Sequence, residues 1–549
     1  MAEELNTATN LLNYALDHYF KTCSNLRIHY RPGPNGRIDI PSKLTNRVVQ
    51  EASLVVSYET EIQQSKATIS RLHNFNGLRN VRSIFSLPRE ILARIFRTVC
   101  NMHLCPQSVA HVYSASKPPS FAMDLIILSH VCSHWREVAI SLVDLWSHID
   151  IEPNQFRIPG SLARVNAYLA RSGPLLDIHI GELLIKDDLH ETMVAPSQAD
   201  PDFLEFITAV APRMRSLTIS ATHSSIQGTL YYPILSACFA NCVPGRLVHL
   251  DFGFVGEIDR SRLPGGGIDT DTTLVGLPKE TLEALWHPIK FMRLDQFYPA
   301  WTSKAYHGLV ELNLAGSGSI PESGLVGILK SSPGLRVLKI QLRITRLTPK
   351  GARITPIPLV DLEQLSAISV GEAQLGYLLR LIAPGTKPLG LTLVNPWLGS
   401  TMERRVHFTS WPETRSFFAR ANVTRLCANS FNTYQQFEYI LAMVPSVRVL
   451  ILDGCNCRQV PEESTLPPDF ALDELYVVSS TAYGAVTWPS IERIVEKHHI
   501  RKLILWRYDH RHNGLGGYGM AVVPNNLSTV CPEVIVVSDE APNPIEDWK

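Results

Sequence analysis

Few residues in this chain have the types and spacing that bond chemistry requires. The densest group is His498, His499, Asp509, His510 and His512, set around one expected strand. Imidazoles and carboxylates are metal ligands, but an ion needs three or four of them to converge. His498 and His499 are adjacent and near an expected helix end, whereas His510 and His512 lie beyond the strand, so the group reads as a solvated turn. Gly514-Leu-Gly-Gly-Tyr-Gly519 follows a strand, as a phosphate loop does. A phosphate cradle presents amides at a helix N-terminus; here no Lys-Ser/Thr ending follows, and Met520-Ala-Val-Val-Pro524 reads as extended. Gly316-Ser-Gly-Ser319 lacks the Gly-x-Ser-x-Gly spacing of a nucleophile elbow. The ten cysteines have close pairs at Cys100/Cys105, Cys238/Cys242 and Cys455/Cys457, none in the paired sets of a tetrahedral zinc module. Free thiols in a reducing compartment, cytosol or nucleus, are the expectation. No catalytic residue, metal ligand or cofactor is expected.

Composition narrows the class. The 549 residues carry 51 basic and 51 acidic side chains, a balance that argues against a nucleic-acid binder with its basic stripe. Hydrophobic content of 45% against 19% charged is globular. No apolar run approaches the roughly 18 residues that span a bilayer. Met1-Ala-Glu-Glu-Leu lacks the basic start and apolar core of a secretory signal.

Without a chemical centre, the informative patterns are those of the elements. Residues 1–83 read as an N-terminal helical region. Leu11, Leu12, Ala15, Leu16 and Tyr19 have helical spacing, Arg31-Pro-Gly-Pro-Asn-Gly36 breaks the helix, and Ser42 to about Ser83 forms one long amphipathic helix. Its weak stripe leaves two options open, coiled-coil dimerisation and packing on its own chain. Residues 84–150 read as a small helical module. Pro88 sits in a first turn, where its missing amide costs nothing, with Ser86 as a candidate cap. Ile91, Leu92, Ile95, Phe96 and Val99 form a wide apolar face, 101–120 is a proline-containing loop, and Phe121–Cys132 and His134–Leu142 are two further helices. Apolar residues on more than one face of so small a module suggest a protein partner.

From 151 to 540 a six-residue pattern recurs, apolar-x-x-apolar-x-apolar, beginning at Met214, Leu247, Leu309, Leu335, Leu365, Val423, Val447, Leu472 and Ile500. Where it is clearest the starts are 26 (309 to 335), 24 (423 to 447), 25 (447 to 472) and 28 (472 to 500) residues apart. A period in this range marks stacked strand–helix units, each too small to bury its own apolar face. The first, fourth and sixth residues of each run would point inward, so Leu312, Leu338, Leu450, Leu475 and Leu503 should form one buried ladder. Between 214 and 309 and between 340 and 423 the period is irregular, as around Leu263-Pro-Gly-Gly-Gly267. The tail 541–549 reads as disordered.

The helical module resembles the F-box family, which opens on Leu-Pro-x-Glu-Ile-Leu and closes on Val-Cys-x-x-Trp-Arg and a Leu-Trp pair. The matching residues are Leu87, Pro88, Glu90, Ile91 and Leu92, then Val131, Cys132, Trp135 and Arg136, then Leu145 and Trp146. The whole layout is similar to the F-box-like proteins of mushroom-forming fungi, whose Tyr-Leu-x-Arg-Ser-Gly-x-Pro-Leu segment resembles Tyr168-Leu-Ala-Arg-Ser-Gly-Pro-Leu175. The loop 101–120 is longer than in a minimal F-box. The resemblance implies an α plus α/β architecture, with N-terminal helices and an F-box followed by a degenerate leucine-rich-repeat solenoid of parallel strands. It implies a non-enzymatic substrate receptor of an SCF-type cullin–RING ubiquitin ligase; the alternative is an F-box-like interaction scaffold outside any ligase, or an enzyme with its site hidden in 253–300. A Skp-type adaptor would meet Leu87, Pro88, Ile91, Leu92 and Ile95, with Val131 and Trp135 supporting or sharing that surface, while Phe96 and Trp146 read as core. A protein target would meet the concave face at Glu311, Asn313, Lys339, Glu474, Tyr476 and Trp506. For Trp506 and Tyr508, a binding role and packing under the C-terminal segment both stay open.

Overall fold

The computed structural model describes residues 2–29, 41–80, 87–101, 121–151, 153, 156, 159–181, 200–221, 228–254, 276–295, 298–316, 318–348, 354–368, 374–394, 412–429, 434–453, 455, 460, 466, 470–478, 488–506, 527–537 and 544–545. The expected loop 101–120 (beyond Asn101), Leu263–Gly267, Tyr508 to His512 and the glycine-rich 514–519 therefore lie outside the described residues. Two compact units divide the chain, residues 1–91 and 92–549.

The first unit contains α1 (Ala2–His29) and α2 (Ser42–Asn80). Tyr19 Oη donates to Glu51 at 3.4 Å, placing the two helices side by side there. Leu11, Leu12, Tyr14 and Phe20 on α1 and Val48, Val49 and Tyr58 on α2 are exposed, so much of the apolar stripe is not buried within the chain.

α3 (Arg89–Asn101) begins just after Pro88, whose carbonyl accepts from Ile91 N–H at 3.0 Å. It carries the wide apolar face read from the sequence, with Leu92 and Phe96 fully buried. In the second unit, α4 (Phe121–Val131) and α5 (Ser133–Ser141) meet at Cys132, whose thiol caps α5 by accepting from Trp135 N–H at 3.4 Å. Phe96 and Trp135 pack edge to face at 5.1 Å. Trp146 is fully buried, and its Nε1 donates to Ala139 O at 2.8 Å. Its ring lies edge-on to Tyr168 at 4.9 Å and beneath the Arg171 guanidinium at 4.7 Å. Tyr168 and Arg171 stand on the helix Pro159–Arg171, so the tryptophan joins the helical module to the region C-terminal to it.

That C-terminal region is built on a sheet. Among the described residues fourteen strands, from β1 (His148–Ile151) to the strand Glu533–Val537, pair in chain order, each parallel to its neighbours. Parallel neighbours need a crossover, and helices such as Glu322–Ser331 and Tyr434–Met443 supply it. Two small two-stranded parallel sheets lie outside it, Ser319–Pro321 with Arg343–Thr345 and Ile357–Leu359 with Ile382–Pro384.

The register resolves the ladder. Ile149, Ile178, Leu217, Leu250, Met292, Leu312, Leu338, Leu365, Leu391, Leu426, Leu450, Leu475 and Leu503 are paired in succession across the strands. None is more than 2% exposed. The five leucines expected in one ladder all belong to it. One frame differs from the sequence expectation: Leu365 pairs with Leu338 and so takes the fourth position of its run, not the first. The run starts at the buried Leu362, 27 residues after Leu335. The tail also differs at one residue. Ile545, within the span expected to be disordered, is fully buried.

Candidate functional site

Two surfaces carry the candidate residues. The first is the helical module. Leu87 is half-buried, Pro88 is exposed and Ile91 is 45% exposed. Ile95, one helical turn beyond Ile91 on α3, is half-buried. Leu92 is fully buried, so it serves the core and offers nothing to an adaptor in this conformation, a correction to the sequence expectation. Phe96 and Trp146 are core residues, as the sequence suggests. Val131 is 48% exposed at the end of α4, and Trp135 is half-buried with its Nε1 out of contact with water and without a hydrogen-bond partner among the described residues. The sequence reading passed over Ile127, Ile140 and Val143, which are also exposed. The signal was available: Phe-Ala-Met-Asp-Leu-Ile-Ile-Leu is apolar nearly all round, more than one buried face can use.

The second surface is the sheet face opposite the ladder. Successive residues of a strand alternate between faces, so the residues between ladder positions share this one. Register links them into a row: Asp150, His179, Thr218, Asp251, Arg293, Asn313, Lys339, Ser366, Thr392, Cys427, Ile451, Tyr476 and Ile504. Neighbours in such a row are about 4.8 Å apart. The row is polar as far as Thr392 and mainly apolar from Cys427. At the junction a recess is lined by Gln364, Thr392, Arg425, Cys427 and Ile451.

In the polar part, Arg293 Nε stands 3.8 Å from Asp251 Oδ1. Burial pushes the Asp251 carboxyl up to about 6 against the opposing pull of Arg293 and His179. Asp295, two residues beyond Arg293 on the same strand, is likewise raised to about 6 by burial, with Arg293 opposing and Asp251 adding to it. Burial and the Arg293 charge lower Lys339. Arg293 Nε, Asp295 Oδ1 and Asn313 Oδ1 are buried without a hydrogen-bond partner among the described residues. Of the residues expected to meet a target, Glu311 is exposed, and Asn313, Lys339 and Glu474 are half-buried.

The apolar part is closed. Cys427, Ile451, Tyr476, Val478, Ile504 and Trp506 form one buried cluster with Ile545. Trp506 is 4% exposed and Tyr476 is nearly as covered, and the Trp506 ring packs in one cluster with Ile545 from the C-terminal segment.

At the other end of the row, His148, Asp150 and His179 each offer a ligand atom, all within 4.8 Å of one another, a constellation that the sequence reading missed. Its trace there is His148-x-Asp150 in one strand and His179 in the next, and only the register reveals that they meet. The described cysteines are free thiols; Cys238 and Cys242 are buried. Among the described residues no helix is long and apolar enough to cross a membrane.

An F-box-like domain matches residues 84–152, a span that contains α3, α4, α5 and ends on β1. No curated protein matches the chain. F-box domains are interaction modules as a class, and this one points to a protein-interaction role and to binding of a Skp-type adaptor.

Proposed function

We propose that the chain is the substrate receptor of an SCF-type cullin–RING ubiquitin ligase. The F-box-like domain docks on the Skp-type adaptor and the parallel sheet, a degenerate leucine-rich-repeat solenoid of the kind found in F-box-like proteins of mushroom-forming fungi, receives the target protein. The observation that carries this reading is the F-box-like match at 84–152 together with apolar side chains held out into solvent within it, Ile91 and Val131 above all. Pro88, Ile91, Ile95 and Val131 make the adaptor contact with Leu87, while Leu92 and Trp135 hold the module's shape. The target meets the outward sheet face at Glu311, Asn313, Lys339 and Glu474, in the cytosol or nucleus. The chain breaks no bond itself; holding a target beside a recruited conjugating enzyme raises its effective concentration.

Co-purification of the full chain with a Skp-type adaptor tests the reading. Stoichiometric capture is expected. Pro88→Ala with Ile91→Asp removes a buried isoleucine contact of about 2 kcal/mol and places a carboxylate in an apolar interface, so capture should weaken at least about a hundredfold. An adaptor that ignores the wild-type chain refutes the reading. Capture that survives the double substitution refutes the assigned contact, and adaptor binding without cullin recruitment leaves an F-box-like scaffold instead.

A further inference from the structure

We propose that His148, Asp150 and His179 form a binding site for zinc. The three donors come from adjacent parallel strands. His148 and Asp150 are two residues apart and share the outward face, and His179 is the register partner of Asp150. Between them Ile149, Ile151, Ile178 and Ile180 are buried in the ladder face, so the backbone under the donors is fixed from below. His148 Nε2 stands 3.1 Å and His179 Nδ1 2.8 Å from the same oxygen, Asp150 Oδ1. Zinc bonds of about 2.0–2.2 Å to nitrogen and oxygen put neighbouring ligand atoms roughly 3–3.5 Å apart. Two of the three edges of the triangle are thus near ligand spacing already, and the third joins ligand atoms within 4.8 Å of each other.

The second coordination sphere is in place on one side. His179 Nε2 lies 3.3 Å from Ser220 Oγ on the next strand, which orients the ring and leaves Nδ1 to face the ion. Two imidazoles and one carboxylate suit zinc rather than magnesium or calcium, which favour all-oxygen sites. The side chains of His148, Asp150 and His179 are 34%, 24% and 15% exposed, open enough for an ion to enter and keep a bound water. Asp177, the register partner of His148, adds negative charge alongside, although Arg215 holds it at 2.6 Å.

The test uses the full chain, stripped with chelator and titrated calorimetrically with zinc chloride. One zinc per chain is expected, lost in His148→Ala/His179→Ala and weakened about tenfold in Ser220→Ala. If the double variant does not fold, Asp150→Asn, which keeps the size and one acceptor oxygen, must lose at least tenfold in affinity. Cobalt in place of zinc should give a ligand-field spectrum without thiolate charge transfer, which separates this site from the cysteines. A wild-type chain that takes up no zinc overturns the proposal. So does a thiolate band, or zinc retained by the double variant.

Discussion

The buried Ile545 makes a prediction about the face that a target would use. Its side chain is fully buried in the cluster of Cys427, Ile451, Tyr476, Val478, Ile504 and Trp506. Ile545→Ala removes three carbons. At about 0.8 kcal/mol per buried methylene-sized group the loss is roughly 2.4 kcal/mol. Any cavity left behind in the buried cluster adds to this. The expected cost is therefore about 2–4 kcal/mol, and Ile545→Asp should cost more, since a carboxylate has no partner in that cluster. Urea unfolding measures it, as a lower midpoint at unchanged slope. Val536→Ala, on the exposed side of the last strand, is the control and should stay within about 0.5 kcal/mol. If Ile545→Ala behaves like that control, Ile545 does not cover the apolar end of the sheet, and Trp506 returns to the surface as a candidate contact.

Two further predictions concern buried charge. Glu322, almost fully buried, accepts from Arg380 Nε at 3.1 Å and from Thr348 N–H, and these bonds hold its carboxyl below the usual range despite burial; Arg380→Leu strands that charge and should cost about 3–5 kcal/mol in urea unfolding, whereas Arg380→Leu with Glu322→Leu should recover most of it. Burial, with Lys497 and His499 adding, pushes the His498 imidazole down to about 4, where it pairs with the Tyr434 hydroxyl. The unfolded chain then binds the extra proton, so stability is complete above about pH 6.5 and falls by about 3 kcal/mol as pH drops towards 4; His498→Gln should flatten that part of the stability profile, and an unchanged profile would show that His498 does not titrate there.

The sequence was most legible where spacing is regular and least where a bulge or a chance apolar residue disturbs it. Runs from Leu309, Leu335, Val423, Val447, Leu472 and Ile500 each show first, fourth and sixth apolar positions, and each is a strand of the sheet. At Leu389 the inward residues are only two apart, because the pairing slips between Leu389 and Gly390, and the run is invisible to a fixed template. Leu176 is hidden by the same kind of slip. Ile289-Lys-Phe-Met-Arg-Leu294 does fit the template, but the apolar Phe291 on the other face blurs the alternation, and Trp146 and Ile149 were absorbed into the helical module although Ile149 opens the ladder. Leu365 misled because Ile368 falls three residues later and imitates a first-and-fourth pair. The candidate contacts were legible as residue types, since Pro88, Ile91 and Asn313 stand out on motif or position. Exposure was not: whether Leu92 or Ile91 faces solvent is decided by which side of α3 the core takes.

The outward face treats its two ends differently, and the difference bears on where a target would sit. At the Cys427–Ile504 end the chain satisfies its own apolar surface with Ile545, so a partner there would first have to displace it. At the Asp251–Lys339 end, Arg293 Nε, Asp295 Oδ1 and Asn313 Oδ1 are out of water and without hydrogen bonds among the described residues. Each such atom costs about 1–3 kcal/mol, and three together approach the roughly 5–15 kcal/mol that typically separates folded from unfolded. Apolar side chains at these positions would be cheaper for folding alone, as the Ile451–Tyr476–Ile504 stretch of the same row demonstrates. A bound chain offering backbone N–H and C=O groups would convert those unmet bonds into affinity only if its docking also turned these side chains outward, and would be rejected if it lacked such groups, because the atoms would then stay unpaired. Under the proposed function, recognition therefore centres on the polar strands around Arg293 and Asn313, and the buried aromatic pair Tyr476 and Trp506, which draws the eye in the sequence, packs against the chain's own Ile545.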